Sequence, residues 1–413
     1  MNFIDKNLSR LSKRFNIDLN YFFNVSFWSL LTLFFDSLFG FVFTILLVKS
    51  LSATELGTWF WIYSLVSLMT IITLPAANKV LTKSLVEGYI NSFFKITKIR
   101  LKMSLIASLL VIPIASFFYL TERNYLLVLC FVLYFPLVAI SGYSKFIYLK
   151  DDFKLLFTYF IIKASSYYGV SVFLLLNGFG LIYIVIAYFY IQAFMDLVYY
   201  LLTIKKIKLE KKTKESSKKK LFQDSLKLTG ISSINMISGR VDKLLVPLFL
   251  SLQDLAIYGV ILLIPNFIKT NLAKLFIPLF SKKFNQYKNI KSFLYKISIL
   301  IATLYVGIVS ILILTMPYYF SLIFSNEYID YLLLAQLLLF FSVFTVLSEF
   351  VRSYFDLTVS LRQLFIIDLV SNILFIVLFI LLGLSYGLLG LVISRIIFEI
   401  IKFCLVIYFF RRI

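Results

Sequence analysis

Arg240, Asp242 and Lys243 sit in the middle of an apolar run, Ser225 to Leu250, that is otherwise suited to crossing a membrane. An ionised side chain at bilayer mid-depth costs roughly 2.5–3.5 kcal/mol even on lenient insertion scales, so it is expected to face a partner or a water-filled path. Residues three apart share a helix face, which lets Arg240 and Lys243 point at one anionic ligand while Asp242 projects elsewhere. Lys163 and Lys269 lie several residues inside other apolar runs, too deep for easy snorkelling and with no acid at i±3 or i±4. These four cations form the expected anion-binding set. The competing reading pairs Arg240 and Lys243 with Asp36 or Asp242 as a structural link.

The acids divide in the same way. Asp36 is the only acid deep in the first apolar run. Burial raises the proton affinity of such a carboxyl unless a cation is near, so Asp36, and with it Asp242, is a candidate for coupling to a proton or sodium ion. A static ion pair is the alternative for Asp36. Near the C-terminus Arg395, Glu399 and Lys402 stand at i, i+4 and i+7, and Glu349, Arg352 and Asp356 repeat that spacing. Both stripes are expected to pair along their own helix faces, with Asp368 free to join either. The chain contains no His, and Cys130 and Cys404 both fall in apolar runs. Common metal and general-base chemistry therefore lacks its usual ligand, and neither a cofactor nor a metal is expected.

The elements that must position these charges follow from composition. Of 413 residues, 61% are hydrophobic and 15% charged, against roughly a quarter charged in soluble domains. Runs long enough for a ~30 Å hydrocarbon core lie at 24–48, 56–78, 99–120, 124–148, 155–177, 179–204, 225–250, 255–281, 296–324, 329–355, 362–383 and 385–410. The expected fold is an all-α integral membrane protein of about 12 transmembrane helices. Seven prolines in or beside these runs permit kinks.

Lys and Arg concentrate in alternate connections: Lys6 to Arg14, Lys79 to Lys102, Lys145 to Lys154, Lys205 to Lys220, Lys282 to Lys296, and Arg411–Arg412. The positive-inside rule then places both termini in the cytoplasm. The net charge of +21 reflects that segregation, not nucleic-acid binding. Phe3, Ile4, Leu8, Leu11 and Phe15, at helical spacing among basic residues, predict a helix lying on the inner surface. The stretch KKIKLEKKTKESSKKK, 205–220, has almost nothing to bury and reads as a solvated basic linker. It divides the chain into a six-helix bundle at 1–204, a linker at 205–223 and a second six-helix bundle at 224–413.

The halves echo each other. Ser52-Ala53-Thr54-Glu55-Leu56-Gly57-Thr58-Trp59 matches Ser251-Leu252-Gln253-Asp254-Leu255-Ala256-Ile257-Tyr258, and the same offset pairs Gly40 with Gly239 and Val42 with Val241. Six helices per half make this a parallel repeat about an axis along the membrane normal.

Two six-helix halves, the paired S-x-x-E-L-G-x-W and S-x-x-D-L-A-x-Y loops, and R-V-D-K at 240–243 resemble the polysaccharide-exporter branch of the multidrug/oligosaccharidyl-lipid/polysaccharide (MOP) transporter superfamily, and within it the O-antigen flippases. That resemblance implies a V-shaped, MATE-like pair of lobes whose first, second, seventh and eighth helices line a cavity. It also implies a flippase, not an enzyme, moving an undecaprenyl-diphosphate-linked oligosaccharide to the outer leaflet of the bacterial inner membrane for lipopolysaccharide O-antigen, capsule or other surface polysaccharide. Arg and Lys suit a diphosphate as planar fork and point charge, which gives Arg240, Lys243, Lys163 and Lys269 a role. A cation-coupled multidrug antiporter or lipid II flippase is the alternative within the superfamily. A polymerase or ligase would need a sizeable outer loop bearing catalytic groups, and the loops here are short.

Overall fold

A computed structural model of the chain describes residues 19–120, 128–150, 152–207, 217–281, 290–358 and 361–412. The amphipathic start and most of the basic linker lie outside these residues. Among the described residues every regular element is helical, and the chain is a multi-pass membrane protein. Helix α1 spans Leu19–Ser50 and α2 Ala53–Met69; the short α3, Ala77–Val86, precedes α4, Ser92–Leu120. The fourth apolar run is broken into a 3-10 turn, Cys130–Val132, α5 at Tyr134–Val138 and α6 at Tyr143–Leu149; α7, Phe153–Leu176, and α8, Leu181–Ile207, follow. After the linker come α9 (Lys218–Ser238), α10 (Val241–Phe249), α11 (Leu252–Ser281), α12 (Ile290–Ile323), α13 (Leu332–Thr358) and α14 (Leu361–Arg412).

Nine helical stretches among the described residues are long and apolar enough to cross a membrane. The last, Ile366–Phe410, holds two of the expected spans, because α14 is interrupted at Gly387, whose φ of 58° is left-handed. At about 1.5 Å per residue, the stretches on either side of Gly387 are each about 38 Å long, enough to cross a ~30 Å hydrocarbon core. Two further expected spans are α4, with a basic first half, and the seventh, divided between α9 and α10. About twelve expected spans thus fall on helices among the described residues, with the seventh bent at the charges that interrupt it. Residues such as Leu314, Tyr318 and Leu322 on α12 are more than 70% exposed, the pattern of an apolar face in contact with lipid.

The repeated loops fold alike. Ser52 caps α2: its hydroxyl accepts from Glu55 N–H at 3.4 Å, while the Glu55 carboxylate accepts from Ser52 N–H at 3.0 Å. Ser251 and Asp254 repeat that reciprocal bonding ahead of α11, both at 3.0 Å. This is a capping box, which satisfies otherwise orphaned N–H groups. Beyond the caps, Leu56 and Leu255 are buried, as are Trp59 and Tyr258 at the next matched position. The echo read in the sequence is thus an echo of local structure.

Two compact units are formed by residues 1–40 with 72–229, and by 41–71 with 230–413. In the first, Leu81, Phe93, Ile96, Phe146 and Leu221 form a core between α3, α4, α6 and the start of α9. In the second, Ile301, Tyr305, Leu339, Val346, Phe350 and Val406 join α12, α13 and α14. The second unit also takes α2, although α2 belongs to the first half in sequence order. Gly57 allows this: a Cβ there would lie 1.8 Å from the Leu252 carbonyl oxygen, so no larger residue fits between α2 and the start of α11.

Candidate functional site

In the second unit the deep charges sort into partnered and unpartnered groups. Asp242, 2% exposed on α10, accepts from Tyr258 Oη at 3.0 Å and from Arg395 Nη1 at 3.3 Å. Its other oxygen accepts from the Lys243 backbone N–H at 2.8 Å. Lys269 on α11 meets Glu399 at 3.1 Å, Lys402 meets Glu349 at 2.9 Å, and Arg352 grips Asp368 with two bonds of 2.5 and 2.6 Å. Four acids and four bases thereby cancel, each pair bridging two helices.

Sequence spacing suggested pairing along one helix; the geometry puts the partners of Arg395, Glu399, Lys402, Glu349 and Arg352 on neighbouring helices. A residue four positions along the same helix offers a weak contact. A cross-helix partner at hydrogen-bond distance offsets far more of the cost of desolvating a charge. The Arg395 guanidinium also lies 5.5 Å from the Phe375 ring centre. Among the described residues, Arg395 Nε and Glu399 Oε2 have no hydrogen-bond partner.

Arg240 and Lys243 take part in none of the ion pairs among the described residues. Arg240 is not inside a helix: it stands at the N-cap of α10, with φ −136°, in the break between α9 and α10. Its guanidinium lies 4.8 Å from the Tyr63 ring centre, and Lys243 Nζ lies 4.9 Å from that of Phe60. Two cations three positions apart thus rest on two rings three positions apart on α2. Aromatic faces stabilise a cation without neutralising it.

The first unit holds Lys163, which reaches Asp196 on α8 at 2.6 Å. Tyr143 Oη donates to the same carboxylate oxygen at 3.0 Å. Asp196 was not singled out from the sequence; an acid in the sixth apolar run was the available signal. Arg100 is a second omission. Only 2% exposed, it donates to Asn78 Oδ1, Ser141 Oγ and the carbonyls of Thr73 and Val138, all at 3.2–3.4 Å. Its bonds tie α4 to the chain before α3, to the first turn of α3 and to the turn before α6. Lying beside Lys95, Lys98 and Lys102, it resembles one more topogenic charge in the sequence.

Asp36, Lys163 and Gln192 line a cavity of about 540 Å³ in this unit, together with Ser29 and Thr32. Trp28, Tyr143, Tyr148, Tyr159, Phe160 and Tyr167 supply aromatic walls. Tyr159 stacks on Tyr199 with ring centres 4.0 Å apart. Among the described residues, no group of three acids or cysteines is placed to hold a metal ion.

The sequence pattern of the polysaccharide biosynthesis protein family matches residues 24–284, more than half of the chain. The chain belongs to that family. Its fold is that of the MOP superfamily. The lipid II flippase MurJ, in an inward closed conformation, is 16% identical with a TM-score of 0.65, over 93% of this chain and 87% of that one. A multidrug resistance MATE transporter, inward-facing, is 15% identical with a TM-score of 0.63, over 89% and 93%. A MOP superfamily transporter from Pyrococcus furiosus, described as having a binding pocket of reversed polarity, is 14% identical with a TM-score of 0.57, over 93% and 94%. No functionally curated protein matches the chain.

Proposed function

We propose that this member of the polysaccharide biosynthesis family is a flippase, carrying an undecaprenyl-diphosphate-linked oligosaccharide across the bacterial inner membrane by alternating access, with both termini cytoplasmic. The observation that carries the reading is the pair Arg240 and Lys243. Every other deep cation of the second unit named above is matched to an acid, while these two are in no ion pair among the described residues and lie at a helix break beside aromatic rings. Broken helices at membrane depth are tolerated where they line a cavity or are buried in protein. A diphosphate needs both the planar fork of Arg and the point charge of Lys.

Lys163 and Lys269 enter as paired cations. They act on a head group only by giving up Asp196 or Glu399, so Arg240 and Lys243 form the primary site. Asp36, on the cavity wall, is the proposed coupling carboxylate for a proton or sodium ion; Asp242, the second candidate, is bonded to Arg395 and Tyr258.

The test uses proteoliposomes loaded with a radiolabelled undecaprenyl-diphosphate oligosaccharide and measures how much reaches the opposite leaflet. Arg240→Ala should abolish transfer, and Arg240→Lys should retain part of it because charge survives without the fork. Transfer unchanged in Arg240→Ala would overturn the assignment. Asp36→Asn should slow gradient-driven transfer while leaving binding of the head group intact.

A further inference from the structure

Phe60 and Tyr63 stand three positions apart on α2 and so share one of its faces, about 4.5 Å apart along its axis. Arg240 lies 4.8 Å from the Tyr63 ring centre, and Lys243 lies 4.9 Å from that of Phe60. The numbering rises along one element as it falls along the other, so two cations and two rings match in antiparallel order. All four residues belong to the second unit.

The other deep cations of this unit are stabilised differently. Lys269, Arg352, Arg395 and Lys402 each meet a carboxylate, which offsets desolvation and cancels the charge together. A ring offsets part of the desolvation and brings no net negative charge. Arg240 and Lys243 are partly exposed, while the acid between them, Asp242, is buried and bonded to Tyr258 and Arg395. An acid at position 60 or 63 would compete with an incoming anion. An aliphatic side chain there would leave the cations unsupported.

The rings are themselves held. Tyr63 stacks on Trp59, one turn earlier, with ring centres 6.5 Å apart and planes at 24°, and Trp59 meets Phe43 of α1 edge-on at 5.6 Å. Phe60, 7% exposed, lies so close to Gly259 of α11 that a Cβ there would come within 2.3 Å of its ring. Packing that fixes a ring also restrains the cation resting on it. Long Lys and Arg side chains otherwise lose much rotamer freedom when a ligand orders them.

We propose that Phe60 and Tyr63 are positioning residues for the anion site: they hold Lys243 and Arg240 in the geometry that receives a diphosphate, with Trp59 and Gly259 fixing the rings. The role rests on the flippase reading, through its assignment of Arg240 and Lys243 to the head group. Holding the cations in advance lowers the ordering cost of binding. Loss of a ring therefore weakens diphosphate binding although no charge is removed.

The experiment titrates inorganic diphosphate into the full chain in nanodiscs, by calorimetry at fixed low salt. Arg240→Ala should abolish binding. Tyr63→Leu should weaken it about ten-fold, and Tyr63→Phe should retain most of the affinity. Placing phenylalanine and then its mono-, di- and trifluorinated forms at position 63 withdraws electron density from the ring face with little change of shape, and affinity should fall stepwise along that series. Packing alone produces no such gradient, so the series carries the test should Tyr63→Leu fail to fold. Gly259→Ala, which displaces the Phe60 ring, should weaken binding as Phe60→Leu does. Affinity that stays flat or rises along the fluorinated series, with Arg240→Ala still abolishing binding, would overturn the positioning role and leave the flippase reading standing. Wild-type protein that binds no diphosphate would overturn the anion site itself, and the positioning role with it.

Discussion

Asp242 and Arg395, 153 positions apart, meet at 3.3 Å and join the short helix α10 to the last long helix α14. Asp242 lies in the first turn of the helix that Arg240 precedes. Tyr258 donates to the same Asp242 oxygen, so two helices, α11 and α14, hold the helix on which Lys243 sits.

Breaking that pair should cost stability before it costs function. Asp242→Asn or Arg395→Leu leaves a buried charge without its partner, and each should lower stability by about 3–5 kcal/mol. The double neutral variant Asp242→Asn/Arg395→Leu should recover much of the loss. Thermal unfolding in detergent compares the three; a double variant as unstable as the sum of the singles would show that the pair does not act as a unit.

Gly57→Ala should separate α2 from α11. The added methyl meets the Leu252 backbone at 1.8 Å, whereas at Gly259 it meets the Phe60 ring at 2.3 Å. A side chain can rotate and a carbonyl cannot, so Gly57→Ala should be the more damaging, with overpacking losses of about 1–3 kcal/mol or more. Unfolding temperatures of the two variants give the order directly.

Ser52→Ala and Ser251→Ala should weaken the protein by similar amounts, roughly 0.5–2 kcal/mol each, because the two capping boxes are built alike. Glu55→Gln and Asp254→Asn preserve part of the bonding and should cost less. Markedly unequal losses in the two alanine variants would mean that the repeat is not matched energetically.

Lys163→Met should destabilise the first unit by leaving Asp196 buried with the Tyr143 hydroxyl alone, and Lys163→Met/Asp196→Leu should restore part of the loss. The paired measurement is again thermal unfolding. Recovery of stability in the double variant would identify the ion pair as the cause.

Thr213→Cys should react with membrane-impermeant maleimide only when the cytoplasmic side is exposed, as the Lys-rich stretch around it requires. Labelling in intact cells would reverse the topology.

Hydropathy alone determined the all-helical membrane class and the number of crossings, because an apolar run of about 20 residues in lipid has few alternatives to a helix. Local capping chemistry also determined the matched loops: Ser followed three positions later by an acid closes its own hydrogen bonds without distant help.

Only the tertiary structure decided which charges meet. Helical periodicity specifies the face on which Arg395, Glu399 and Lys402 lie, but not which helix packs there, so their partners at 242, 269 and 349 were outside the reach of spacing. Lys163 showed no local acid because its acid is on α8, 33 positions away. The break at Gly239–Arg240 likewise depends on packing. Burial of Asp242 against Tyr258 and Arg395, with Arg240 and Lys243 resting on α2, turns a continuous apolar run into two helices and leaves two positive charges unmatched beside it.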